Sequence, residues 1–166
     1  MHQTPYVHRM FRDVFTGIDT RQKKAIPINE LHTLLNEDPQ SDKLRRTQAI
    51  ANLLFLFCGM PFVDLAYLEK SNLEGNMLKY NRAKTGIPMN VEILDSAATI
   101  ISQLRNKHTT VLPEHPDYLF YILSGKNKRS DEAGYKEYQS ALRCFNNDLK
   151  SLARKLCIRS SVTSYT

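Results

Sequence analysis

The stretch that most limits how this chain can fold is residues 53–89, reading LLFLFCGMPFVDLAYLEKSNLEGNMLKYNRAKTGIPM. Its opening turns are apolar on every side, so a helix there must be buried against several neighbours instead of lying on a surface. Gly59 is suited to stop that helix through its access to positive φ, and Pro61 to start the next, where a missing N–H costs nothing. The helix from Pro61 to about Leu68 carries Asp64 and turns Phe62, Leu65, Ala66 and Leu68 inward. From Asn72 the period changes to two. Leu78, Tyr80, Arg82 and Lys84 share one face of a strand over Met77 to Lys84, and Ile87, Met89, Val91 and Ile93 share a face of the next. Thr85-Gly86 supplies the turn, which puts Lys84 at the tip of an antiparallel hairpin.

The rest of the chain reads as helical. Pro27 opens a short helix with Ile28, Leu31, Leu34 and Leu35 on its apolar face, ended by Glu37-Asp38-Pro39. Ser41 is the expected N-cap of the central helix, whose stripe is Leu44, Thr47, Ala51, Leu54, Phe55 and Cys58. Asp95 caps a helix to about Lys107 built on Ala97, Ile100, Ile101 and Leu104. A connection containing Pro113 and Pro116 leads to the buried-looking run Tyr118 to Leu123 and to a solvated loop, Gly125-Lys126-Asn127-Lys128-Arg129. The clearest helix follows, with Tyr138, Leu142, Phe145, Leu149, Leu152 and Leu156 at alternating spacings of four and three. The expected fold is mainly α with a small antiparallel β-sheet (α+β).

With 166 residues and 42% hydrophobic content, one ordinary core is expected, over residues 26–166. Residues 1–25 are polar and basic, interrupted by Gly17, and read as an arm or linker from a missing upstream domain. No apolar run approaches the ~20 residues of a membrane span, and the start lacks a secretory apolar region. An intracellular, cytoplasmic protein without a membrane partner is therefore expected. The three cysteines are odd in number and lack C-x-x-C spacing, so buried free thiols are expected and no metal site. Nucleotide-binding, serine-hydrolase and zinc-protease motifs are absent, and no cofactor is implied.

Net charge is +6, unevenly spread, with basic clusters in 1–24, 105–129 and 150–159. Separate basic clusters around a neutral core fit a surface that touches a phosphate backbone. Lys24, Arg82, Lys84 and Arg129 are the candidate phosphate contacts, which the family resemblance described next would make contacts to double-stranded DNA. A solvated basic face accounts for the same composition.

The order of these motifs resembles the opening of the catalytic domain of tyrosine recombinases, the phage-integrase family, particularly integrases of bacterial mobile elements. Gly59-Met60 matches the Gly-Leu pair of the family's first arginine box, Asp64 its acidic residue, and Leu65 the leucine after it. Lys84 in RAKTG matches the hairpin lysine, and Val162-Thr163-Ser164-Tyr165-Thr166 looks like the segment leading into a His-x-x-Arg helix. The resemblance implies DNA integration or recombination through a 3′-phosphotyrosine link, with Asp64 and Lys84 at the catalytic site and Lys84 protonating the departing 5′-oxygen. It implies further a C-terminally truncated catalytic domain, a full-length form that assembles as a multimer on DNA, and a location at the bacterial nucleoid.

The departures bear on activity. The first-box arginine should stand at Pro61, or one turn upstream at Cys58, and neither is basic. No H-x-x-R occurs in the chain, and none of the eight tyrosines follows such a box. The sequence as given is expected to bind DNA without cleaving it. Two further readings stay open: a non-catalytic DNA-binding or assembly module derived from such an enzyme, and an unrelated basic helical interaction protein. Asp64 as a local cap and Lys84 as an ordinary turn lysine are the corresponding structural alternatives.

Overall fold

The computed structural model describes residues 25–105, 118–127 and 129–164. The expected N-terminal arm with Lys24, the Pro113 and Pro116 connection, Lys128, and Tyr165 and Thr166 lie outside the described residues. Five helices and a three-stranded antiparallel sheet make up the described part, in the order α1 (Ile28–Asn36), α2 (Asp42–Leu56), α3 (Phe62–Ala66), β1 (Leu73–Glu74), β2 (Met77–Asn81), β3 (Pro88–Glu92), α4 (Asp95–Arg105) and α5 (Glu132–Lys155). A single 3₁₀ turn, Lys70–Asn72, precedes β1.

Helix α2 is the centre of the molecule, packed against α1, α4 and α5. Its polar side chains close the free end of α1: the Gln48 amide donates to the Leu34 and Glu37 carbonyls at 2.9 and 2.7 Å, and Asn52 donates to the Leu35 carbonyl at 2.9 Å. These are carbonyls that a helix C-terminus leaves without an internal partner. Leu53, Phe57, Leu65, Leu68, Leu78, Leu119, Phe120, Leu149 and Leu152 are fully buried and form the middle of the core. Phe62 of α3 stacks on Phe145 of α5, ring centroids 4.6 Å apart.

The stripe expected on α2 is displaced. Thr47, Ile50, Leu53 and Leu54 are buried, whereas Phe55 is 55% exposed. Where every side of a helix is apolar, periodicity carries no phase, and the neighbouring helices choose the buried face. Ser41 does occupy the N-cap position, but its side chain makes no capping hydrogen bond. Asp95 is the first residue inside α4 and not its cap, since the Ala98 amide bonds back to the Leu94 carbonyl.

The expectation of buried thiols is overturned, because Cys58, Cys144 and Cys157 are all exposed. Cys58 and Cys157 share a reason. Each follows a helix end in the left-handed region, with φ of 58° and 56°, a position that turns the chain out of the helix. After α5 the Ile158 amide closes on the Ala153 carbonyl at 2.8 Å. After α2 both Cys58 and Gly59 are left-handed, and the closure is one residue wider, from the Met60 amide to the Leu54 carbonyl at 3.0 Å.

The sheet order is β1-β2-β3, with Leu78 opposite Val91 and Tyr80 opposite Met89. Leu78, Tyr80 and Val91 are the side chains it buries. Strand β2 stops at Asn81, earlier than the period-two pattern implies. Arg82 to Ile87 form the loop, closed by the Arg82 amide on the Ile87 carbonyl at 2.9 Å and the Gly86 amide on the Arg82 carbonyl at 2.8 Å. Gly86 takes φ of 69° there, as the turn requires. Beyond the sheet, Tyr118 to Leu123 buries Tyr118, Leu119, Phe120 and Leu123, and the Leu119 amide bonds to the Leu68 carbonyl. The following loop is not wholly solvated: Gly125 is buried, and Asn127 donates to Glu137 of α5 at 3.0 Å.

Candidate functional site

The turn between α2 and α3 and the tip of the β2–β3 hairpin meet at one hydrogen bond. Asp64 stands in the middle of α3 because Pro61 starts that helix three residues earlier, and the buried neighbours Phe62, Leu65 and Ala66 fix its direction. Its side chain is buried, only 5% of the residue being exposed, and its Oδ1 accepts the Ala83 backbone N–H at 2.8 Å. A charged acceptor on a buried amide is a strong contact and ties the hairpin loop to α3. Lys84 follows Ala83 directly and is exposed, so its position along the loop is fixed while its four-carbon stem is free to reach outward.

Two further groups lie close by. Tyr80, buried on β2, has its phenol pKa raised, first by burial and then by the charge of Asp64, with Arg82 acting in the opposite sense. Arg82 is half-buried and its Nε is enclosed without a hydrogen-bond partner. The Asp64–Ala83 bond thus brings Asp64 together with the loop that carries Arg82 and Lys84. Arg129 is engaged elsewhere, its guanidinium 4.7 Å from the centre of the Tyr67 ring just past α3. Tyr67 has its pKa raised by burial, against the lowering effect of Arg129.

The C-terminal described segment reaches the other side of the same turn. Gly59, Met60 and Pro61 line an apolar groove of about 450 Å³ together with Thr163, Ser164 and faces of α1, α2 and α5. Exposed Phe55 is on its rim. Two contacts hold the segment there: Glu30 of α1 accepts the Ser160 amide at 3.1 Å, and Asn146 of α5 accepts the Ser164 amide at 2.8 Å. Val162 is buried between them.

Glu137, Asn146 and Glu30 position loops yet gave no signal in the sequence, because a lone polar residue on an amphipathic helix looks like any solvated one. Arg46, whose guanidinium donates to the Phe120 carbonyl at 3.0 Å and whose pKa burial lowers, was equally silent. Among the described residues, no group of three or more His, Cys, Asp or Glu is placed to hold a metal ion, and no helix is long and apolar enough to cross a membrane.

No family model and no curated protein matches the chain. Among solved structures, the chain is similar to the crystal structure of XerA recombinase, with a TM-score of 0.57 and 18% sequence identity. The match covers 90% of this chain and 48% of the recombinase, so the chain spans about half the length of that protein. The mainly helical architecture with its small antiparallel sheet is a fold shared with that recombinase structure.

Proposed function

We propose that this chain is the N-terminal portion of a catalytic domain of tyrosine-recombinase type, that it contacts double-stranded DNA, and that the protein acts in DNA integration or recombination. The observation that carries the reading is the Asp64–Ala83 bond, which couples the first-box helix to the lysine hairpin within a fold shared with XerA recombinase. In this reading Asp64 sets the loop, Lys84 delivers a proton or a charge to the phosphodiester at the hairpin tip, and Arg82 is a further cation on the same loop. The Val162–Ser164 segment against Gly59–Pro61 supports it too, since a His-x-x-Arg helix continuing from there would begin beside the first-box turn. Assembly as a multimer on DNA and a place at the bacterial nucleoid belong to the same proposal.

A second reading is favoured by one specific observation. Cys58 and Pro61, the two positions open to the first-box arginine, carry no charge. Removing one charged donor to a developing oxyanion costs on the order of 10²- to 10³-fold in rate, which suits a module that binds DNA without cutting it. Titration of a labelled duplex tests both. The chain should bind with little sequence preference and lose affinity steeply with salt, and Lys84→Ala should lower the salt slope by about one. Absence of binding at low salt would exclude both readings. Incubation with nicked substrates should give no covalent adduct, and an adduct abolished by mutating a single tyrosine would show that the active site has been misplaced.

A further inference from the structure

The apolar groove beside the Val162–Ser164 segment has the chain's own entry point on its wall. Ala25 and Ile26 line it together with Leu31 and Leu35 of α1 and Met60 of the α2–α3 turn, and none of its described lining residues is charged. Its volume, about 450 Å³, falls within the ~300–1,000 Å³ of pockets that hold bound groups. Leu31 and Leu35 are only half-buried, so water reaches the α1 wall, and covering such a surface is favourable. The residues that precede Ala25 supply a matching stripe. Val7, Met10, Phe11, Val14 and Ile18 recur at i, i+3, i+4, i+7 and i+11, the spacing of one helical face, and the same spacing puts Arg9, Arg12, Asp13 and Thr16 on the other. Asp19 to Lys24 lie between that stripe and the groove wall, a link that reaches about 20 Å when extended. A helix over residues 7–18 would measure about 18 Å, so the link is long enough to lay it back over the groove.

We propose that residues 7–18 dock in cis on the α1 side of this groove, apolar stripe inward, so that the N-terminal arm covers the Gly59–Pro61 turn and the Thr163–Ser164 segment instead of serving only as a linker. An amphipathic helix laid into an apolar groove is a recurrent mode of recognition, and here the stripe and the groove belong to one chain. The occupant is the chain's own arm and not a second copy, because Ala25 and Ile26 hold its attachment on the wall. Docking is then a short loop closure, with an effective concentration on the order of millimolar that a separate molecule in dilute solution does not reach. Arg9 and Arg12 stay in water, since the described lining offers them no carboxylate. The contact holds whether or not the chain binds DNA.

The sequence contains no tryptophan, so Phe11→Trp places a single reporter on the stripe of the whole 166-residue chain. Its emission should be blue-shifted, and several-fold less quenched by acrylamide, in the native state than in denaturant. Val14→Arg on the same stripe should return both to their exposed values, whereas Thr16→Arg on the opposite face should leave them unchanged; neither substitution touches a described core residue. Met60 locates the contact, because it lines the groove and is only 3% exposed. In methyl-labelled protein carrying no tryptophan, Val14→Arg should shift the Met60 signal while Met77 and Met89, on the sheet strands, stay in place. A tryptophan as exposed in the native chain as in the denatured one, or a Met60 signal indifferent to Val14→Arg, would overturn the proposal. Emission that moves to its exposed value on dilution from micromolar to nanomolar protein would overturn it as well, in favour of an arm exchanged between copies.

Discussion

Replacing Asp64 by alanine isolates the contact between α3 and the hairpin. The carboxylate is buried and accepts the Ala83 amide at 2.8 Å in a partly buried setting. Alanine leaves that amide without an acceptor, which costs about 1–3 kcal/mol for a buried donor. Asparagine keeps an oxygen at the same place and loses only the charge, so its cost should be about 1 kcal/mol or less. For a chain of this size each kcal/mol moves the melting temperature by roughly 2–4 °C, which puts Asp64→Ala roughly 2–12 °C below the unaltered protein. Hydrogen exchange should localise the effect: the Ala83 amide loses protection in Asp64→Ala, while amides of α2 and α5 follow only the global change. DNA binding should weaken along with the loosened loop, though less than for Lys84→Ala. An Asp64→Ala protein as stable as the parent, with Ala83 still protected, would refute the idea that this carboxylate holds the hairpin.

Leu53→Ala, at a position with no exposed surface, should lose about 2–5 kcal/mol in denaturant unfolding, whereas Phe55→Ser, two residues along on the exposed side, should stay within about 0.5 kcal/mol. Burial raises the Glu137 carboxyl, but the Ser124 amide, the Asn127 side chain and Lys126 outweigh it and hold its pKa below the ordinary glutamate value. The folded form therefore binds this proton less readily than the unfolded one, and the clamp on the 124–127 loop should persist above the ordinary glutamate pKa and fail only as pH falls through the depressed one. Asn127 side-chain amide signals followed by NMR against pH check that order, and loss of the clamp while glutamates elsewhere remain ionised would contradict it. All three exposed cysteines should react with a thiol reagent in the native state at rates close to those in denaturant, and slow native labelling would restore the expectation of buried thiols.

Much of the architecture was legible in residue order. The proline and glycine punctuation at Pro27, Gly59, Pro61 and Gly86 marked where elements begin and end, and each acts locally through its own φ. The four-and-three spacing over residues 138–152 located the long helix, because an amphipathic face must repeat at the helical period whatever it packs against. The short first strand went unnoticed, although Gly75-Asn76 between Leu73 and Met77 carries a two-residue turn signal.

What the order of residues could not decide was which of several equivalent faces meets a neighbour. The all-apolar end of α2 left Phe55 and Leu53 indistinguishable until α4 and α5 covered one and not the other. The exposure of Cys58 depends on a left-handed residue after the helix, a conformation that cysteine does not advertise. The pairing of Asp64 with the Ala83 amide spans 19 positions and joins a helix to a loop, so no spacing rule foretells it. Periodicity and turn chemistry are local and can be read along the chain; a side chain's partner across the core is fixed only when separate elements pack, because burial then makes each polar group find an acceptor or a donor within reach.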